Sequence, residues 1–307
     1  MVTIIILGGL NIFDENGSRR VPTLESLIVS IRSFLGSIIR RCVQRVASLP
    51  KGTVISDPAI RAAFERTKRV DHNGLSLTLS IPGGYTEFRA STFSSKEPET
   101  LEWIDGFKGG GEILWDIGAN IGLYSCYAAI RGSNVVAVEP SVFNLEILAR
   151  NIHLNELSHL ITIVPVALSQ ETGPATLNMS STSTEWGGSL SSFGVEYGFD
   201  GSPLDVSFRY QLAGIAMDDL VSSLSFDPPD HVKLDVDGIE HLILKGGRNT
   251  LASVQSVLVE VDERFVKQRE ETKRCLTEAG LSMVSRQHAA MFDDGPFSHC
   301  YNQIWTR

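Results

Sequence analysis

Five carboxylates and one histidine stand where side chains of this 307-residue chain can do chemistry. Asp116, Glu139, Asp235 and Glu260 follow the apolar runs Ile113-Leu114-Trp115, Val135-Val136-Ala137-Val138, Val232-Lys233-Leu234 and Val257-Leu258-Val259. Asp237 and His241 come just after Asp235. An acid at the carboxyl end of a buried strand sits where open α/β sheets bind ligands, and it can hold hydroxyls, face a cation or take a proton. Asp235 and Asp237 are two apart, so in a regular strand they share a face. Either can touch a cofactor or an acceptor hydroxyl. The alternative for Asp237 is structural, capping a helix that starts at Ile239. Asp235, Asp237 and His241 are the catalytic candidates, with Glu260 a further base. The plain reading of His241 is a partly exposed helix residue.

The loop Asp116-Ile117-Gly118-Ala119-Asn120-Ile121-Gly122 reads as a strand end, a tight turn and the start of a helix. Gly118 suits a backbone that a side chain forbids, and Gly122 lets a ligand or a neighbouring element come close. Asp116 either contacts a ligand or pins its own turn. Glu139 comes about twenty residues after the glycines, the offset at which α/β nucleotide sites offer an acid to ribose hydroxyls. The glycines are spaced Gly-x-x-x-Gly rather than Gly-x-Gly-x-x-Gly, with Asn120 in a neighbouring slot, and the loop has no Lys. A phosphate is a poor guest there. An adenosine with a neutral or cationic tail is a better one, and S-adenosylmethionine fits that description.

Three motifs in register extend this reading. The 116–122 loop, then Val138-Glu139-Pro140 with Asn144, then Val232-Lys233-Leu234-Asp235-Val236-Asp237-Gly238 resemble the FkbM-type family of S-adenosylmethionine-dependent methyltransferases over about residues 112–262. The resemblance implies a class I methyltransferase fold, a Rossmann-like doubly wound sheet, mostly parallel with an antiparallel last strand. It implies cofactor contacts at Asp116, Gly118, Asn120, Gly122, Glu139 and Asp235, with the adenine beside Ala167. It further implies O-methylation of a hydroxyl on a sugar, glycan or secondary metabolite. Asp237 stands where the family usually carries Glu, a longer arm.

Composition narrows the class. The hydrophobic fraction of 42% and charged fraction of 21% are ordinary for a globular chain. A net charge of −9 gives nucleic acid no basic face. Cys42, Cys126, Cys275 and Cys300 lack metal or redox spacing, the histidines likewise, and no obligatory metal is expected. No stretch reaches the length of a membrane span, and the opening apolar run is too short for a signal peptide, so a cytoplasmic location is expected.

The elements that must position these residues follow in order. Residues 24–46 carry apolar residues at helical spacing with Arg32, Arg40, Arg41 and Arg45, one amphipathic helix suited to packing on the rest, to a homodimer contact or to a weak membrane-surface contact. Leu75, Leu77 and Leu79 alternate as a strand, Pro82-Gly83-Gly84 turns, Tyr85–Phe93 reads as a second strand and Glu97–Phe107 as a helix. From residue 112, strands and helices alternate, with Ser141 a cap for the helix after Glu139. Residues 170–216 interrupt them with two strands around a Gly-, Ser- and aromatic-rich stretch, either a substrate lid or a hairpin insertion with a loose tip. The organisation expected is an N-terminal segment (1–50), a lead-in hairpin and helix (51–110) and a cofactor domain (111–307).

Rival chemistries are a nicotinamide dehydrogenase, which the glycine spacing disfavours, and a glycosyltransferase using Asp235-Val-Asp237 as a metal motif, which leaves the glycine loop unexplained. A non-catalytic scaffold is the third. The partner expected is a small-molecule or glycan acceptor.

Overall fold

The structure, a computed structural model, describes residues 65–307 apart from residue 109. The expected amphipathic helix over 24–46, with the homodimer or membrane contact it was to serve, and Cys42 lie outside the described residues.

The chain enters through a hairpin of β1 (Thr67–His72) and β2 (Leu75–Ser80). Its two-residue turn is Asn73-Gly74, both with positive φ (45° and 76°), the pairing that suits a right-twisted hairpin. This corrects the expected hairpin in two ways: β2 pairs backward with β1, and Tyr85–Phe93 is mostly helical. Helix α1 (Gly84–Ser91) starts where the Thr86 hydroxyl takes the Gly83 amide at 3.1 Å and donates to the Gly83 carbonyl at 2.8 Å. Thr86 and Ala90 face inward at helical spacing, and exposed Tyr85 and Phe88 cannot form the buried face of a strand. Helix α2 (Pro98–Asp105) follows, with Pro in its first turn, where no amide partner is needed.

The central sheet then builds by alternation: β3 (Ile113–Ile117), α3 (Leu123–Ile130), β4 (Asn134–Val138), α4 (Val142–Leu154) and β5 (Ile161–Val164). After the interruption come β10 (His231–Leu234), α6 (Glu240–Lys245), α7 (Arg248–Leu251), β11 (Ser256–Asp262), α8 (Val266–Glu278), β12 (Ser282–Gln287) and β13 (Cys300–Thr306). The helix expected to start at Ile239 is divided by Gly246-Gly247. The strand order is β12-β13-β11-β10-β3-β4-β5; β10 is parallel to β3 and β11, while β13 runs antiparallel to both its neighbours. Order reverses between β3 and β10, so the mouth there opens as a crevice.

Period two divides the sheet between two cores. Trp115, Ile117, Val232, Leu234, Val257 and Val259 point to one face, where α6, α7 and α8 pack. Leu114, Val135, Ala137 and Leu258 point to the other, against the hairpin, α2, α3 and α4.

Residues 167–215 form a second sheet of β6 (Ala167–Leu168), β7 (Gly173–Met179), β8 (Ser191–Phe193) and β9 (Phe208–Ile215), in the order β6-β9-β7-β8. α5 (Met217–Ser222) returns the chain to β10. The insertion is therefore more than a hairpin, and the segment between β7 and β8 lies against the mouth of the main sheet.

Candidate active site

The turn after β3 is shaped by neighbours. Gly118 has φ +84°, and a Cβ there would overlap the carbonyl oxygen of Asp235. Gly122 has φ +79°, and its Cβ would overlap Leu148 of α4. Both glycines thus let protein elements approach one another, the first drawing the ends of β3 and β10 together. Asp116 is buried and lies outside the cavity; it accepts a 2.5 Å hydrogen bond from the Ser125 hydroxyl, tying the strand to α3. Burial raises its pKa.

Glu139 organises the rim. Its Oε2 accepts the Asn120 amide at 2.8 Å and its Oε1 the Ser141 amide at 2.7 Å. The first bond fixes Asn120 at φ +51°, a conformation Asn tolerates. The second gives α4 its N-terminal acceptor; Ser141 itself makes no side-chain cap, and its buried hydroxyl has no partner. Burial pushes the Glu139 carboxyl up to about 7, against the pull of these amides. Each carboxylate oxygen has a second lone pair, so two vicinal hydroxyls can still be received. Beside Glu139 the cavity is lined by Ala167, Leu168, Leu177 and Phe193, apolar as an adenine requires.

A polar stripe crosses one face of the sheet. Lys233 pairs in register with Asp116 on β3, and one step beyond the Leu234–Val259 pair, Asp235 and Glu260 stand side by side. Lys233 is 1% exposed, donates to Asp235 at 3.1 Å and lies over the Tyr124 ring at 5.1 Å. Burial opposes its charge, but Asp235, Asp116 and Glu97 together raise its pKa. Glu97, also buried, is held down to about 2 despite that burial by Lys96, then Lys233.

Asp237 leaves the stripe. The strand ends at Leu234, and Asp237 takes φ +60°, so the regular-strand argument for a shared face fails there. Its Oδ2 accepts the Leu190 and Ser191 amides at 2.7 and 3.2 Å, and burial, then Asp235, lifts its pKa to about 6. The expected capping by Asp237 is not seen: the helix from Glu240 has no side-chain cap, and Glu240 instead accepts the Val236 and Gly238 amides of the preceding turn at 3.0 and 3.2 Å.

His241 is not brought to the site. It is 0% exposed, lines neither cavity, packs edge-on to Phe265 and lies 3.8 Å from Glu271; burial lowers its pKa to about 4. The first turn of α6 aims it into the helix-covered core.

Two cavities meet at this stripe. The one at Gly118, Glu139 and Asp235 is narrow, about 90 Å³, and the other is about 680 Å³. They share Arg89, Glu97, Ser189, Asp235 and Asp237. The first is narrow because a strap, residues 187–191, lies across it. Gly188 carbonyl accepts Asn120 Nδ2 at 2.8 Å and Asn144 Nδ2 at 3.3 Å; the Gly187 amide donates to Asn144 at 3.0 Å, and the Gly187 carbonyl accepts Arg89 Nε at 2.6 Å. The larger cavity is lined by the exposed aromatic rings of Tyr85 and Phe88, by Phe292 and Phe297, and by polar groups from the sheet.

Sequence reasoning missed Arg89, read as part of a strand, and Glu97, for which no local signal exists. Lys233 could have been found, since it shares a face with Asp235 by period two.

A doubly wound sheet with this strand order, an acid after its second central strand and a glycine turn after its first is the class I methyltransferase architecture. The chain belongs to the methyltransferase FkbM domain family, whose profile matches residues 116–291. It is 30% identical over 179 residues to the hexuronic acid methyltransferase AglP of Haloferax volcanii, covering 56% of this chain. The chain spans 64% of that relative's length. Among solved structures it is similar to a methyltransferase FkbM from Methylobacillus flagellatus (17% identity, TM-score 0.45, 73% of this chain and 52% of that one). It is also similar to a putative S-adenosylmethionine-dependent methyltransferase from Streptococcus mutans (11% identity, TM-score 0.46, 78% and 55%). No helix among the described residues is long and apolar enough to cross a membrane.

Proposed function

We propose that the chain is an S-adenosylmethionine-dependent O-methyltransferase acting on a hydroxyl of a sugar or glycan. The observation that carries this reading is the junction of the two cavities. On one side stand the Gly118 turn, Glu139 and the apolar lining; on the other is a roomy cavity with aromatic rings, and the carboxylates of Asp235 and Asp237 lie between.

The residues present fit the cofactor. Glu139 can receive the ribose hydroxyls through its remaining lone pairs, Ala167 and Leu168 can face the adenine, and Asp235 can face a cationic tail. When bound, S-adenosylmethionine supplies an electrophilic methyl on a good leaving group. The chain's own part is to align the acceptor oxygen with it, which can supply several powers of ten in rate. Tyr85, Phe88 and Phe292 offer flat apolar faces to a sugar ring, while the sheet end offers acceptors to its hydroxyls. The sugar assignment draws support from the hexuronic acid named for the relative AglP.

The Asp-x-Asp reading as a metal-dependent glycosyltransferase fares less well. Asp235 is turned to Lys233 and Asp237 to backbone amides, so the pair does not present itself to one ion.

Calorimetric titration with S-adenosylmethionine and its demethylated product, beside Glu139→Ala, tests the proposal. Saturable binding that the variant loses is expected, followed by methyl incorporation into a panel of hydroxylated sugars. Binding of NAD or a nucleotide sugar instead would refute it.

A further inference from the structure

Of the six carboxylates that line the larger cavity four are engaged, while Glu185 of the insertion and Glu260 of the sheet are not. Asp235 is paired with Lys233, Asp237 holds the Leu190 and Ser191 amides, Glu97 is paired with Lys96, and Glu99 accepts from Asn302 at 2.7 Å. Glu260 faces the same cavity and makes no hydrogen bond or ion pair among the described residues. Its backbone is fixed on both sides, by β10 and by Asn302 of β13, so its side chain is delivered beside Asp235 by strand register rather than by a loop.

We propose that Glu260 is the general base of the acceptor site, and that a cation bound in the neighbouring cofactor cavity brings it into its basic form. This rests on the methyltransferase reading above. As the acceptor oxygen bonds to the methyl carbon, the carbon–sulfur bond breaks and its electron pair stays on sulfur. The hydroxyl proton passes to a Glu260 carboxylate oxygen and leaves to water through the open cavity.

The surroundings of Glu260 explain the second part. Burial first, then Asp235, Glu97 and Asp237, push its pKa well above the usual carboxylate range, with Lys96 opposing. Arg89 from α1, Glu99 of α2, Glu185 of the insertion, His288 and the Cys300 thiol of β13 also line the cavity. Without a ligand this shift at Glu260 disfavours the ionised form, the one that can accept a proton. Asp235 lines both cavities, so a positive charge beside it lies near Glu260 as well. An opposite charge within about 4–6 Å favours the ionised carboxylate. The spent product, whose sulfur is a neutral thioether, lacks the sulfonium charge and with it that effect.

Calorimetry on the full chain, in phosphate and in Tris at pH 7, reads proton release on binding without needing an acceptor. S-adenosylmethionine is expected to release a substantial fraction of a proton more than its demethylated product. Any contribution from Glu139 at the ribose is common to both ligands and cancels. The difference should vanish in Glu260→Gln, which keeps its affinity for the product within about twofold, and persist in Asp237→Asn. Equal release by the two ligands in the wild type, or a difference that survives Glu260→Gln, would overturn the proposal while leaving the cofactor reading intact. Failure of both ligands to bind, checked by equilibrium dialysis, would overturn both.

Discussion

Replacing Glu139 by Gln tests the site at the residue on which most of it hangs. The change is nearly isosteric, so its effects come from hydrogen bonding and charge. In the native chain both carboxylate oxygens accept backbone amides, from Asn120 at 2.8 Å and Ser141 at 2.7 Å. Gln has only one oxygen, so its NH₂ must face one of these buried N–H groups. One amide is left unsatisfied, at a cost of about 1–3 kcal/mol. For a domain of this size that lowers the Tm by roughly 2–4 °C per kcal/mol. Affinity for the adenosine part falls separately. Hydrogen bonds to a charged group contribute about 1.5–3 kcal/mol, which is on the order of ten- to hundredfold in Kd. The pH dependence has a definite sign. Glu139 ionises through about 7, so wild-type affinity for the demethylated product rises from pH 6 to 8 and then levels, whereas for that ligand Glu139→Gln is flat over the range. Thermal unfolding and calorimetric titration at three pH values are the assays. A variant with unchanged Tm, affinity within twofold of wild type and the same pH profile would refute the assignment of Glu139 to both turn and ribose.

The two glycines should differ in cost. Gly118→Ala adds left-handed strain of roughly 1–2 kcal/mol to an overlap with backbone, while Gly122→Ala adds the same strain against the movable Leu148 side chain. Urea unfolding should therefore show Gly118→Ala the more damaging by at least about 1 kcal/mol, since overpacking against rigid atoms costs roughly 1–3 kcal/mol. Lys233→Met removes the buried cation shared by Asp116, Asp235 and Glu97; a loss of about 3–5 kcal/mol is expected at pH 8, shrinking toward pH 5 as the stranded carboxylates take up protons. His241, with its pKa lowered to about 4, resists protonation in the folded chain. Between pH 6.5 and 4 the unfolded chain binds more protons there, so stability falls with acidification by up to about 1.4 kcal/mol per pH unit, and His241→Phe should flatten that slope in acid unfolding while leaving cofactor affinity within twofold.

The cofactor half of the molecule was legible because its signals are local. A short apolar run, two glycines and an acid at a fixed offset report strand, turn and a carboxylate at the mouth without knowledge of the partners. What the glycines touch was not legible, since Asp235 lies over a hundred residues from Gly118, and Leu148 lies on the next helix, beyond an intervening strand. Asp237 misled for a related reason: a strand face can be assigned only while the strand continues, and this one stops at Leu234. The lead-in failed differently. Asn73-Gly74 is a strong hairpin signal that the alternation of Leu75, Leu77 and Leu79 overshadowed, and the aromatic content of Tyr85–Phe93 suggested strand where the buried spacing of Thr86 and Ala90 is helical. In the insertion, Gly and Ser hide short strands whose order depends on long-range pairing. The six hydrogen bonds that seat its strap come from four distant residues.

That strap bears on how the protein keeps time. Asn120, Asn144, Arg89 and Asp237 hold residues 187–191 across the narrow cavity, so a nucleoside bound there would enter and leave only as those bonds part. Openings of this kind fall in the microsecond-to-millisecond range or slower, and in many enzymes they, rather than bond making, set turnover. Rapid-quench experiments should then show a burst of methylated product followed by a slower steady rate. Loosening the seat with Asn144→Ala should raise the steady rate while shortening the residence of the spent cofactor. The exposed Trp186 indole, next to the strap's first glycine, supplies a native fluorescent reporter of each opening.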